Sequence, residues 1–168
     1  MGKKRKVNKD TKTYQAKIIK RLKNKLLKLW SIKVKERAGF KCEVDGCTSG
    51  LALNSHHIEN FLTSQELRYD IRNGLCLCQN CHKFPKKGQK SVHRSFVLAY
   101  ELMTKKHPED LQYLLNFKPT GEELTAEILE QKIKEMEALK FPEQPTDHQK
   151  ENGVLNQKEP SVLPLEQK

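Results

Sequence analysis

The stretch Cys78-Gln79-Asn80-Cys81-His82 can be read as three different chemistries. C-x-x-C-H is the attachment pattern of a c-type haem, C-x-x-C is a redox dithiol, and the same pair is half of a zinc site. Haem attachment follows export, and the N-terminus MGKKRKVNKDTK has a basic start but no apolar stretch of a secretory signal. A redox dithiol belongs inside a βαβ pattern, and none is read around residues 60–100. Five cysteines is an odd number, which suits a disulfide framework poorly. Metal binding in a reducing compartment remains.

A second pair supports that reading. Cys42 and Cys47 flank the turn-forming Asp45-Gly46, and thirty residues separate Cys47 from Cys78. Two cysteine pairs at turns are how zinc knuckles present four thiolates in a tetrahedron. Zinc on Cys42, Cys47, Cys78 and Cys81 is therefore expected, with a mixed set using a histidine in place of one cysteine as its competitor. Cys76 is left over. On a strand it would face opposite to Leu75 and Leu77, as a small buried apolar residue.

The histidines are not consumed by that site. Four of the six fall between residues 56 and 93, and His56 and His57 are adjacent. Neighbours on a strand point to opposite faces. One can ligate a metal while the other addresses a different group, provided the chain bends there.

These residues need elements to hold them. Ile18/Ile19, Leu22, Leu26 and Leu29/Trp30 recur at helical spacing over residues 15–38, with lysines on the other faces and Gly39 as the stop. Residues 51–57 alternate as a short strand, and residues 73–77 form a second. Residues 58–72 read as irregular, with TSQEL able to start a helical turn. A short helix begins near Cys78 and is interrupted by Pro85 and Gly88. Ser91 reads as an N-cap, followed by a helical face of Val92, Phe96, Ala99/Tyr100 and Met103. Pro108 suits the first turn of a helix carrying Leu111, Leu114 and Leu115. Thr120-Gly121-Glu122-Glu123 reads as a capping box opening an acidic helix to about Lys140. The expected class is α+β, divided into a disordered basic arm (1–13), a basic helix (14–38), a core with following helices (39–117), an acidic helix (118–141) and a disordered tail (142–168).

Hydrophobic content is 36% and charged content 32%, so the core is small for the length and a structural metal would add needed folding energy. The net charge of +11 is uneven: residues 1–41 hold 16 Lys and Arg against 2 Asp and Glu, whereas residues 108–168 hold 7 against 13. A basic arm on a nearly neutral middle is the footprint of a nucleic-acid binder. Lys3, Lys4, Arg5 and Lys6 read as phosphate contacts more readily than as a nuclear-import signal. The basic first helix leaves a membrane-surface role open on charge alone. No run of 18 apolar residues exists, so no membrane span is expected.

Cys42-x4-Cys47, His56-His57-Ile58, Asn73 and Leu77-Cys78-x2-Cys81-His82 together resemble an HNH endonuclease with the zinc-ribbon variant of the ββα-metal fold, a treble-clef-like core. The resemblance covers roughly residues 40–100, and residues 68–76 resemble small phage or mobile-element members. It implies a cytoplasmic enzyme, bacterial or phage-encoded, that hydrolyses DNA phosphodiester bonds, with RNA as a further candidate substrate. His57 matches the general base, His56 and His82 match ligands of a catalytic divalent metal (Mg2+, Mn2+, Ni2+ or Zn2+), and Asn73 matches the residue that holds the loop and orients the base's ring. Family members often carry another histidine one turn beyond His82. Here that turn holds Phe84-Pro85-Lys86, and the insertion KFPKKGQKSV would have to loop out to return His93 as a ligand or phosphate contact. Lys83, Lys86, Lys87 and Lys90 would contact phosphates beside the site. The competing classes are a non-catalytic zinc module that binds nucleic acid, and a protein-interaction module docking through its acidic helix.

Overall fold

In the computed structural model the described residues are 12–49, 52–59 and 64–142. The arm with Lys3, Lys4, Arg5 and Lys6, and the tail beyond Pro142, lie outside them. Among the described residues, five α-helices and one small sheet make a mixed α+β fold. Among the described residues no helix is long and apolar enough to cross a membrane.

Helix α1 runs Lys12–Arg37. Its buried residues, Leu26, Trp30 and Val34, recur every four positions on one face. Gly39 takes a left-handed φ of 59°. That turn lets the Phe40 amide reach the Lys35 carbonyl at 2.8 Å and the Gly39 amide reach Glu36 at 2.9 Å, closing the helix in a Schellman motif.

Strands β1 (Leu53–His57) and β2 (Gly74–Cys78) pair antiparallel, with His56 opposite Leu75 and His57 opposite Gly74. Side chains alternate across β2, and each face has its own core. Cys76 is fully buried with Leu26, Trp30 and Val34 of α1. Leu75 and Leu77 pack on the other face with Val92, Ala99, Leu102 and Met103. The leftover cysteine is thus the apolar residue its strand position predicts.

Helix α2 (Gln79–His82) follows β2 directly, α3 spans Phe96–Lys106, α4 Pro108–Asn116 and α5 Ala126–Ala138. Two expectations need correction. Ser91 caps only a 3-10 turn, Val92–Arg94, and Ser95 is the N-cap of α3, its hydroxyl accepting from the Leu98 amide. The buried face also differs from the expected one. Ala99, Leu102 and Met103 are buried, while Phe96 and Tyr100 are exposed. Thr120 does not open the acidic helix. The Glu66 carboxylate takes its hydroxyl at 2.8 Å and its amide at 3.0 Å, and Thr125 caps α5 instead. Helices α1 and α5 also contribute to the core. Leu129, Ile133 and Met136 of α5 share one cluster with α1 and Cys76.

Polar contacts lock α1 to the connection between the strands. Trp30 Nε1 donates to the Asp70 carbonyl at 2.8 Å, Ser55 Oγ donates to the Ser31 carbonyl at 2.8 Å, and Arg37 donates to the Ile71 and Gly74 carbonyls. His107, at the α3–α4 junction, is half-buried against the Glu43 carboxylate, although its place outside the motif predicts exposure.

Candidate metal centres

The first centre is built by two turns. The Asp45-Gly46 turn, with Gly46 at φ 68°, brings Cys42 and Cys47 together. Cys78 ends β2 and Cys81 lies in α2, where the Cys81 amide donates to the Cys78 thiol at 3.5 Å. All four sulfur atoms lie within 4.8 Å of one another. Cys47 is 3.7 Å from both Cys78 and Cys81. That is too long for a disulfide, near 2.05 Å. It equals the edge of a tetrahedron with Zn–S bonds of about 2.3 Å, roughly 3.8 Å. The four-cysteine group could hold a structural metal such as zinc. Burial pushes the Cys42 thiol up to about 11. At Cys78 burial is outweighed by the Cys81 amide and by the neighbouring Ser49, Cys81 and Cys47 side chains, and its thiol falls to about 7. The competing set with a histidine is not what the fold assembles. The first turn is also tied to α3: Asp45 pairs with Lys105 and Lys106, which hold its carboxyl down to about 2.

The second centre is histidine. His56, His82 and His93 come from β1, α2 and the Val92–Arg94 turn, and their ring nitrogens lie within 4.8 Å of one another. His93 Nε2 and His82 Nε2 are 3.2 Å apart. Two imidazoles on one ion with bonds of about 2.0–2.1 Å stand at roughly this distance. The insertion after His82 does loop out and return His93. Burial first, then the charges of His82 and His93, push His56 down to about 4. Burial and His93 also hold His82 below the usual imidazole value. His56 and His82 are thereby biased toward the neutral, ligating form of the imidazole. The group contains no carboxylate, a donor set that suits borderline ions such as zinc or nickel better than magnesium.

His57 points the other way from His56, as strand alternation requires. Its ring stacks on Trp30, centroids 3.8 Å apart and planes 6° from parallel. Its Nε2 lies 2.9 Å from the Arg68 carbonyl. A carbonyl only accepts, so Nε2 carries the hydrogen and Nδ1 of the neutral ring holds the lone pair. Burial lowers its pKa, with the Arg68 carbonyl opposing and the Arg68 charge assisting. His57 still lines the same cleft of about 470 Å³ as His56, His82, His93 and Phe96.

Asn73 is fully buried. Its Oδ1 accepts from the Glu59 amide at 2.7 Å, and its Nδ2 donates to the Glu59 and Leu67 carbonyls at 3.2 and 3.0 Å. It clamps both ends of the connection that carries Arg68. The lysines behave differently. Lys86 and Lys90 border a separate hollow beside the four-cysteine group, with Asp45, Asn80 and Gln89. Lys83 and Lys87 are exposed, the former with its ammonium 5.5 Å from the Phe84 ring.

Trp30 escaped the sequence reading as a site residue because its helical spacing already explained it as core. Its indole donor was the one available signal, since a buried Trp must satisfy that group. No family model, curated protein or solved structure matches the chain.

Proposed function

We propose that this chain is a metal-dependent endonuclease of the HNH kind, hydrolysing DNA phosphodiester bonds with His57 as general base. The observation that carries the reading is the divergence of two adjacent histidines. His56 joins a three-imidazole group, while His57 is oriented by a stacked indole and a backbone carbonyl. A structural histidine pair has no need for either arrangement. The β1–β2 hairpin leading straight into α2 supports a ββα-metal core, stapled by zinc on Cys42, Cys47, Cys78 and Cys81.

In the proposed reaction His57 Nδ1 takes the proton from water as its oxygen bonds to phosphorus. The bond to the leaving sugar oxygen then breaks, and solvent protonates that oxygen. His56, His82 and His93 would hold a divalent ion, which neutralises charge on the phosphate and leaving oxygens. Trp30 and the Arg68 carbonyl keep the His57 ring from rotating, and Asn73 fixes the backbone that supplies that carbonyl. The acidic helix is a poor docking element for a partner protein, because its apolar face is already covered by α1.

The test is nicking of supercoiled plasmid by the full chain across a titration of Zn2+, Ni2+, Mn2+ and Mg2+. Cleavage is expected with a divalent ion added, and the purified protein should carry one tightly held zinc. His57→Ala should lose about 10²–10⁴ in rate while keeping its fold and zinc. His82→Ala should shift the metal requirement to higher concentration. A His57→Ala protein that nicks at the wild-type rate would remove His57 from the mechanism.

A further inference from the structure

Helix α3 has a covered side and a side left in water. Ala99, Leu102 and Met103 fill the core. Phe96, Val97 and Tyr100 are 71%, 62% and 44% exposed. They sit at i, i+1 and i+4, so they share one face. Nothing in the fold requires large apolar residues there, because the buried face is complete without them. Phe96 also forms a wall of the cleft that holds His56, His57, His82 and His93. A phosphate seated against those histidines would have its neighbouring nucleotide within reach of the cleft wall that Phe96 forms.

The surroundings argue for a nucleic acid as what covers this face. Exposed Lys83, Lys87 and Arg94 lie on the segments leading into α3, and Glu101 is the one acid within it. Exposed cations on the segments that precede exposed rings suit a polyanion with flat apolar faces. In a duplex those faces are stacked on one another and closed to a protein ring. An unpaired base leaves its face open, and stacking on an aromatic side chain then tolerates any sequence. Phe96 and Tyr100 are one turn apart, about 6 Å along the helix. That spacing is wider than the 3.4 Å rise of duplex bases and suits an extended strand.

We infer that Phe96, with Val97 and Tyr100 beside it, is a stacking platform for an unpaired base next to the scissile bond, so that the preferred substrate is single-stranded or locally unpaired nucleic acid. This rests on the nuclease reading above and names the substrate class for the same cleft.

The experiment uses the full chain with no divalent metal added, and three 2-aminopurine-labelled oligonucleotides of one sequence: a single strand, a duplex, and a duplex with a central bulge. Wild type should bind the single strand and the bulge more tightly than the duplex. Phe96→Ala should weaken the first two by roughly 5- to 150-fold, the range that base–aromatic stacking of ~1–3 kcal/mol corresponds to, and leave the duplex unchanged. Phe96→Trp should retain the preference, whereas Phe96→Leu, apolar but without a π-face, should lose it. Equal weakening of all three ligands, or a Phe96→Leu protein matching wild type, would overturn the platform. So would a wild-type dimer, seen by light scattering, that Phe96→Ala dissolves. Plasmid nicking separates the two readings. A Phe96→Ala enzyme that nicks normally and shows no single-strand defect leaves the nuclease standing and removes the platform. Phe96-dependent strand binding with no cleavage under any metal keeps the platform and removes the nuclease.

Discussion

One residue step along β1 separates two chemistries. His56 turns to the side of α2 and the Val92–Arg94 turn, and His57 turns to α1. Both lose basicity chiefly through burial, His56 to about 4 from the ordinary 6.5. A depressed folded-state pKa means that the unfolded chain binds more protons once pH drops below 6.5. The stability contribution of the two neutral rings is complete above pH 6.5 and drains away as pH falls toward 4. The same direction applies to the proposed catalysis, because a protonated His57 could not accept the proton from water. The nicking rate should therefore hold down through pH 6.5 and fall only below it, with thermal stability declining over the same acid range. Initial nicking rates and melts from pH 8 to 5 test this. A rate that halves above pH 6.5 would contradict a buried, stacked His57 as base.

At the scale of elements, the placement of the proposed base, His57, depends on how closely α1 approaches β2. Gly74 makes that approach possible: a Cβ there would stand 2.5 Å from Val34 Cγ2 and 3.1 Å from Trp30 Cζ2. Gly74 is also the strand partner of His57. Gly74→Ala should push α1 and its indole off the strand. Overpacking of this kind costs about 1–3 kcal/mol, which lowers the melting temperature by several degrees. The nicking rate at saturating DNA should drop, while DNA affinity changes little. If rate and affinity are both preserved in a protein that melts lower, the Trp30 stack is packing and not positioning. The resemblance spans only residues 40–100, so this dependence on α1 was not legible in the motif. The helix itself was legible from its four-residue apolar spacing.

For the whole molecule, the proposed function gives the basic N-terminal region two roles that divide near Lys12. Residues 1–11 contain Lys3, Lys4, Arg5, Lys6 and Lys9. Removing them should flatten the slope of log K against log salt by about 0.9 for each cation that touches a phosphate, with cleavage at saturating enzyme preserved. Removal through Arg37 should behave quite differently. It strips Leu26, Trp30 and Val34 from the core, exposes Cys76 and α5, and deletes the partners of Asp70, Ser55 and Gly74. Buried large-to-small losses cost about 2–5 kcal/mol each, so loss of a whole helix exceeds the stability of a small domain. Binding measured over a salt series and circular dichroism of both truncations would separate the roles. A folded, cleaving chain lacking residues 1–37 would show that α1 is only an affinity arm.

By itself the sequence determined the local chemistry and the short-range elements. Cysteine pairs at turns, a strand-end His-His step, a glycine stop after α1 and proline at the start of α4 act within a few residues, so local spacing specifies them. It also placed Cys76 inside, because strand alternation is local. Only tertiary structure decided which distant groups meet. The return of His93 to His56 and His82, Trp30 stacked on His57, and Arg68 supplying the carbonyl all depend on how α1, the loop after His82 and residues 64–73 close on one sheet. The misread caps at Ser91 and Thr120 have the same cause. A distant carboxylate, Glu66, outcompeted the local box at Thr120. Helix α3 starts one turn later, at Ser95, and packs through Ala99, Leu102 and Met103, so that Phe96 lines the cleft and not the core.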